Sequence, residues 1–311
     1  VTGAAGFAGR WLVAALDTRG HEVIATPPSD DLDITDRRPV SALVSSVRPD
    51  AIAHLAAVSF GPAARRDPER ALAVNGGGTR NVLDAAAASV RRPIPVLVVS
   101  SAEVYGHPAV DDLPLREDAP LRTNQPYGLS KLAQERAAFE FAEANGVPIA
   151  IARSFNHTGP GQRREFVVPA LAERIVAAVA EGRHFIRAGN VDVRRDFSDV
   201  RDVVRAYALL LEALVDSRLP ANPTVVNVCS GVSVSIRWII AQLAAMEGVT
   251  IDIEIDAALV RADDPADIRG DASRLVALVG WSPEIELKAT LRDVLADVSS
   301  RGEVTTEARR P

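Results

Sequence analysis

Two hydrophobic registers divide this chain. Short apolar runs end in small or hydroxyl residues, and longer runs with helical spacing separate them. Arg10-Trp11-Leu12-Val13-Ala14-Ala15-Leu16 reads as a helix that stops before Gly20, and His21-Glu22-Val23-Ile24-Ala25 as a short buried strand. A helix is expected from Asp36. Pro49-Asp50 then introduces a strand, Ala51 to Ala57, and a helical run passes through Asn75-Gly76-Gly77-Gly78-Thr79 into Asn81-Val82-Leu83-Asp84-Ala85. The glycines there read as close packing. Val96 to Ser101 is the clearest buried strand. Leu132 to Phe139 continues as a helix that stops at Asn145-Gly146, and Pro148 to Ser154 makes one more strand. The second half differs in character. It carries a helix from Pro169 to Ala180, a basic stretch Arg194-Arg195-Asp196-Phe197, a helix from Val200 to Leu214 and a strand Val225 to Cys229. Ile251 to Ile255 alternates strictly and reads as a half-exposed strand. The polar tail, Arg301 to Pro311, is expected to be loose. Strands alternating with helices predict an α/β protein, a doubly wound parallel sheet covered on both faces. Such sheets bind ligands at the carboxyl ends of their strands.

Composition narrows the function. The chain has 311 residues, 47% of them hydrophobic, ample for a sizeable core. A net charge of -6 argues against nucleic acid as the main partner, though not against a local basic pocket. One cysteine, Cys229, excludes an internal disulfide and fits the cytoplasm. The five histidines show no ligand-like spacing, so no metal site is expected. No apolar run approaches the ~20 residues of a membrane span, and no signal-peptide pattern occurs. The sequence opens Val1-Thr2-Gly3 with neither a methionine nor a strand ahead of its glycine-rich turn, so residues of a first strand are expected before Val1.

Three stretches carry candidate chemistry. Gly3-Ala4-Ala5-Gly6-Phe7-Ala8-Gly9 spaces its glycines for a tight turn, close approach of backbone to a pyrophosphate and close helix packing. Thr26-Pro27-Pro28-Ser29 lacks the acid that would hold an adenosine ribose, which leans towards NADP(H) over NAD(H), although no arginine follows to bind a 2′-phosphate. Asp33-Ile34 offers a contact for an adenine edge, with a turn aspartate capping the next helix as an equal alternative. Leu55-Ala56-Ala57 suits backbone lying against a cofactor, and Asn75 is a further cofactor contact. His54 reads as a core histidine. Ser101-Ala102-Glu103-Val104-Tyr105-Gly106 puts Ser101 and Glu103 at a strand end. Tyr127 and Lys131 stand four apart, on one face of a helix. There a neighbouring ammonium is expected to pull the phenol below its usual ~10 and make it a usable proton donor.

Together the GxxGxxG turn, the Ser-x-Glu-x-Tyr-Gly strand end and the YxxxK pair resemble the extended short-chain dehydrogenase/reductase superfamily, the nucleotide-sugar epimerases and dehydratases. The resemblance runs from Val1 to about Leu295. Phe155-Asn156-His157-Thr158-Gly159-Pro160-Gly161-Gln162 is similar to a strip in the GDP-4-keto-6-deoxy-D-mannose reductases. So are Gly189-Asn190, the run Arg195 to Val204, and Asn227-Val228-Cys229-Ser230-Gly231.

The resemblance implies a Rossmann-type domain over 1-159 and 215-229. It also implies a smaller mixed α/β substrate-binding domain over 160-214 and 230-300, with 301-311 as a tail. Ser101, Tyr127 and Lys131 match the family's catalytic triad, with Glu103 as a candidate base. Gly3, Gly6, Phe7, Gly9, Asp33, Ile34, Leu55, Ala56, Ala57, Asn75, Tyr127, Lys131 and Phe155 are expected at the cofactor. Asn156, Arg195 and Arg261 are expected on the diphosphate and Asp264 on a ribose. The implied partner is a GDP-linked 4-keto-6-deoxy sugar, with a homodimer as the assembly. The reaction is reduction of the C4 ketone; GDP-mannose 4,6-dehydration, C4 epimerisation and a non-catalytic NADP(H) sensor stand as alternatives. Ala102 occupies a position where dehydratases need an acid or hydroxyl.

Overall fold

The computed structural model describes residues 1–89, 92–220, 222–260 and 264–307. In chain order the first elements are α1 (Phe7–Thr18), α2 (Arg37–Val47), β1 (Ile52–His54), α3 (Gly61–Arg66) and α4 (Pro68–Leu72). A π-turn (Ala73–Gly78) leads into α5 (Thr79–Ala87), β2 (Val96–Ser101), α6 (Pro126–Asn145), β3 (Ile149–Ser154) and β4 (Asn156–Thr158). Next come α7 (Val167–Ala180), β5 (Phe185–Ala188), β6 (Arg194–Asp199), α8 (Val200–Val215) and β7 (Thr224–Val228). The chain closes with β8 (Ser233–Ser235), α9 (Ile236–Met246), β9 (Asp252–Ile255), β10 (Asp267–Ile268), α10 (Ser273–Val279) and α11 (Leu287–Glu307).

The central sheet is parallel, in the order β1-β2-β3-β7, and its registers bring Ser101 of β2 opposite Ser154 of β3. Parallel neighbours need crossover helices, and these cover both faces. Leu12 and Leu16 of α1 pack on one face with Val203, Tyr207 and Leu210 of α8. Val40 of α2, Leu83 of α5 and Ala138 and Phe141 of α6 pack on the other. The expected doubly wound α/β sheet is therefore present. A second core gathers α7, α9 and α11 around β5, through Leu171, Ile175, Ile186, Ile239 and Leu291. β6 pairs with β4, β8 and β10 between the two cores. Among the described residues, no helix is long and apolar enough to cross a membrane.

Four details differ from the sequence reading. Residues 21–25 form no strand and lie largely exposed, with Ile24 at 42%. Two hydrogen bonds hold them to Val1, from Val1 N to Ile24 O and from Thr26 N to Val1 O, too few for a ladder. The basic stretch at Arg194 is strand β6: it pairs with β4, β8 and β10, and its residues 196–199 are all buried. Residues 301–307 continue α11 as helix, and the rest of the expected tail lies outside the described residues. The buried face of α8 joins the sheet core and β4 pairs with β6, so neither element follows the boundary drawn at 160. Of the three glycines expected to pack closely, Gly78 does, since a Cβ there would meet Ile34 at 2.6 Å, and one on Gly76 would meet Ala133 at 3.2 Å, whereas Gly77 faces open space.

Beneath the strand ends lies a buried ion pair. Arg153 of β3 donates to Glu135 of α6 through Nη2 at 2.8 Å and Nε at 3.0 Å. Their side chains are 5% and 4% exposed. Ser100 donates to the same carboxylate at 2.6 Å, and Arg153 also reaches the Tyr105 hydroxyl and the Glu117 carbonyl. Tyr105 in turn donates to Asn227 Oδ1 at 2.7 Å. Removing one partner of a buried pair strands the other charge. Arg153→Met is therefore expected to cost about 3–5 kcal/mol of unfolding free energy in urea titration. The double variant Arg153→Met/Glu135→Leu should recover part of that loss.

Candidate functional site

The glycine turn makes the first wall of the site. Helix α1 begins at Phe7 with Gly6 as a cap that offers no side-chain acceptor, so its first N–H groups remain open to an anion. Gly3 has φ +70°, and a Cβ there would lie 2.7 Å from Ala56 N. A Cβ on Gly9 would lie 2.1 Å from Gly3 O. No side chain fits at either position without pushing helix, turn and the 55–56 backbone apart. That close three-way approach suits a dinucleotide pyrophosphate. Leu55, Ala56 and Ala57 line the same edge half-buried, and the Phe7 ring is 6.2 Å from His157 and nearly parallel to it.

At the carboxyl end of β2, neighbouring serines face opposite ways, as a strand dictates. Ser100 points into the core at Glu135, whereas the Ser101 hydroxyl is hydrogen-bonded to Tyr127. Tyr127 lies in the first turn of α6, just after Pro126, and Lys131 one turn on. Lys131 is buried, and its Nζ donates to Val99 O and to Gln134 Oε1, each at 2.8 Å. It sits 6.0 Å from the Tyr127 ring centroid. The structure thus brings Ser101, Tyr127 and Lys131 together.

Their ionisation differs from the expectation. Burial raises the Tyr127 phenol above its ordinary range; the Ser101 bond opposes this, and the Glu103 carboxylate adds to it. Burial brings Lys131 down to about 7, with Glu135 opposing. Desolvation disfavours the charged form of each group and is the largest cause of both shifts. Lys131 also spends two of its donors on Val99 and Gln134 rather than on the phenol.

The other expected residues fall into three sets. Phe155 is buried beside Tyr105 and Cys229, under the strand ends. Asn156 stands exposed at the start of β4, and Glu103 is exposed just past Ser101. Asn75 is fully buried and spends its amide on Val58 N (2.8 Å), Val58 O (3.1 Å) and Ser130 Oγ (2.8 Å). It pins the loop after β1 to α6 instead of presenting a free donor. Asp33 accepts from Thr35 N at 2.9 Å, a turn role; the residue that caps α2 is Asp36. Ile34 is buried under Gly78. Arg195 is ion-paired with Asp264 and donates to Pro265 O at 2.7 Å, so these two expected substrate residues meet each other. Arg261 lies outside the described residues. His54 is a core histidine, held neutral by burial with its pKa down to about 3. Among the described residues no cluster could hold a metal.

Sequence reasoning missed Asp196. It accepts from Ser230 N, Ser230 Oγ, Gly231 N and Gly270 N, tying the loop after β7 to β6. A lone acid next to Phe197 within a basic stretch was its only signal. Glu135 was missed as well, although its place four residues after Lys131 on one helix face made it legible.

Lys131 makes stability depend on pH. Below about 7 it is charged in both folded and unfolded protein, and its burial penalty is complete. Between about 7 and the ordinary lysine value of 10.5 only the unfolded chain keeps the proton, so stability rises with pH across that window. Lys131→Met is expected to flatten this rise, as read by urea denaturation at pH 7, 8 and 9.

Comparisons agree with this geometry. The NAD dependent epimerase/dehydratase family matches residues 1–229. The chain is 38% identical to GDP-6-deoxy-D-mannose reductase of Pseudomonas aeruginosa, covering 97% of each. It is 30% identical to GDP-6-deoxy-D-talose 4-dehydrogenase of Aggregatibacter actinomycetemcomitans, covering 90% of each. Its fold superposes on the solved structure of RMD from P. aeruginosa complexed with NADPH with a TM-score of 0.85, at 36% identity over 96% of this chain and 97% of that one. A glycine cradle at the N-terminus of α1, a serine–tyrosine–lysine convergence and a family match over residues 1–229 lead to one conclusion: the chain belongs to the NAD dependent epimerase/dehydratase family.

Proposed function

We propose that this protein is an NADP(H)-dependent reductase of the C4 ketone of a GDP-linked 4-keto-6-deoxyhexose, forming GDP-D-rhamnose or its C4 epimer. The observation that supports this most is the full-length similarity to GDP-6-deoxy-D-mannose reductase, joined to the intact Ser101, Tyr127 and Lys131 arrangement. The turn around Gly3 and Gly9, where a Cβ finds no room, fits a dinucleotide. Gly3, Gly6, Phe7 and Gly9 would hold its pyrophosphate, Leu55 to Ala57 its backbone edge, and Lys131 its nicotinamide ribose. When bound, that cofactor supplies hydride to the sugar carbon. Tyr127 gives its phenolic proton to the ketone oxygen, and the raised pKa keeps that proton in place until the oxygen becomes strongly basic. Ser101 orients the same oxygen. On the substrate side, Asn156 and Arg195 take the diphosphate and Asp264 the ribose. Arg195 also holds Asp264 in position through their ion pair.

Dehydration is the weaker reading. It needs an acid or hydroxyl beside the triad, and Ala102 is buried in an apolar cluster with Val104, Tyr105 and Phe155. A homodimer is part of the proposal. Leu72 and Leu129 are 52% and 48% exposed, and Leu72 borders a groove lined by Gly76, Gly77 and Ala133 together with the ion-paired Arg80, Arg136 and Glu140. A matching helix face of a second copy would cover it. Ala133→Glu is expected to shift the protein from dimer to monomer in sedimentation. A cytoplasmic location accompanies this reading, in keeping with a single buried cysteine.

The direct test is incubation with NADPH and GDP-4-keto-6-deoxymannose while nicotinamide absorbance is followed. One NADPH should disappear per sugar reduced, and no loss would sink the reductase reading. Tyr127→Phe should lower kcat by about 10²–10⁴-fold.

A further inference from the structure

One buried side chain has no part in the proposed reaction yet touches Lys131. Gln134 is fully buried in α6 and turns its amide oxygen to Lys131 Nζ at 2.8 Å. Its amide nitrogen donates to Thr79 Oγ1 at 3.0 Å. Thr79 gives its single hydroxyl proton to the Asn75 carbonyl, 2.6 Å away, so towards its other neighbours the oxygen can only accept. His54 Nε2, 2.9 Å from Thr79, must then carry the ring proton. His54 Nδ1 is left to accept from the Thr2 hydroxyl at 2.8 Å. Burial keeps that ring neutral. Every bond therefore has one allowed direction. Thr79 cannot donate to Gln134, so the amide can present only its nitrogen there and only its oxygen to Lys131.

We infer that Gln134, oriented by the Thr79–His54–Thr2 chain, is the positioning residue for Lys131. The amine has two directions taken, by Val99 O and Gln134 Oε1. One direction remains, for whatever enters the site beside Tyr127. The chain begins at Thr2, the residue before Gly3 of the glycine turn, so one line of buried hydrogen bonds runs between the two ends of the candidate cofactor site. Other groups face Lys131 too. Tyr127 and Glu135 come from α6, with Arg153 of β3 neutralising Glu135, and His54 comes from β1.

Composition makes the test clean. The chain has two lysines, Lys131 and Lys288, and Lys288 is exposed on α11. Protein labelled with [ε-¹³C]lysine should give two signals, and the Lys131 signal can be titrated in wild type, Gln134→Glu, Gln134→Leu and Thr79→Val. Gln134→Glu places a carboxylate on the amine and should raise the Lys131 midpoint by about one unit or more. Gln134→Leu removes the acceptor and should lower it. Thr79→Val frees the amide to turn over and should move it in the same direction. With NADPH and the keto sugar, Gln134→Leu and Thr79→Val should lose on the order of tenfold in kcat, with KM for the sugar within about twofold. Melting curves establish that each variant folds, and the near-isosteric Gln134→Glu serves if Gln134→Leu does not. Midpoints in folded variants that match wild type would overturn the inference. The kinetic readout rests on the reductase reading, but the titration does not. Shifted midpoints in a protein that never oxidises NADPH would uphold the positioning role and sink the reductase. Full turnover with unmoved midpoints would do the reverse.

Discussion

The Glu135–Arg153 pair is the constraint on which the rest of the structure leans. It joins α6 to β3 at the level where the central sheet ends. Through Ser100, Tyr105 and Asn227 it also reaches β2, the turn after it and β7. Two charges removed from water are tolerable only when every lone pair and N–H finds a partner. Satisfying them fixes the separation of four elements. Tyr127, Lys131 and Glu135 lie at successive turns of one helix face, so the pair that anchors α6 also sets the height at which Tyr127 and Lys131 stand against Ser101.

That anchoring leaves the site apolar enough to change its chemistry. Desolvation raises the Tyr127 phenol and depresses the Lys131 amine, so each is biased to its neutral form near pH 7. Lys131 is turned to Val99 and Gln134, with its Nζ 6.0 Å from the tyrosine ring centroid. A protonated phenol beside an amine poised near neutrality is a suitable resting state for a group that must give up a proton late. The destabilisation this entails is placed next to the buried Glu135–Arg153 network.

Much of this was legible in the chain itself. Val96 to Ser101 announced a buried strand because an apolar run ending in hydroxyls has few other homes. Gly3 and Gly9 announced a turn because no side chain fits the approach they permit. Tyr127 and Lys131 shared a face by spacing alone. Residues 21–25 carry the apolar pattern of a strand, and the bonds that hold them run to Val1 at the start of the described residues. Asn75 and Asp33 were ambiguous. Their residue types suit ligand contacts and local hydrogen bonds equally, and only the surroundings decide that Asn75 holds Val58 and Ser130 while Asp33 holds Thr35.

Periodicity and spacing by themselves determined the α/β class, the glycine cradle and the shared face of Tyr127 and Lys131, since each depends on residues close together in the chain; Ser101 joined that pair through the family resemblance. The tertiary structure alone decided which groups are charged and where they aim. Lys131 takes its partners from residues 99 and 134, the Gln134 amide takes its direction from 79, and that in turn from 54 and 2. Ionisation follows burial and hydrogen-bond direction follows the full set of neighbours, and both come into being only when segments distant in sequence pack together.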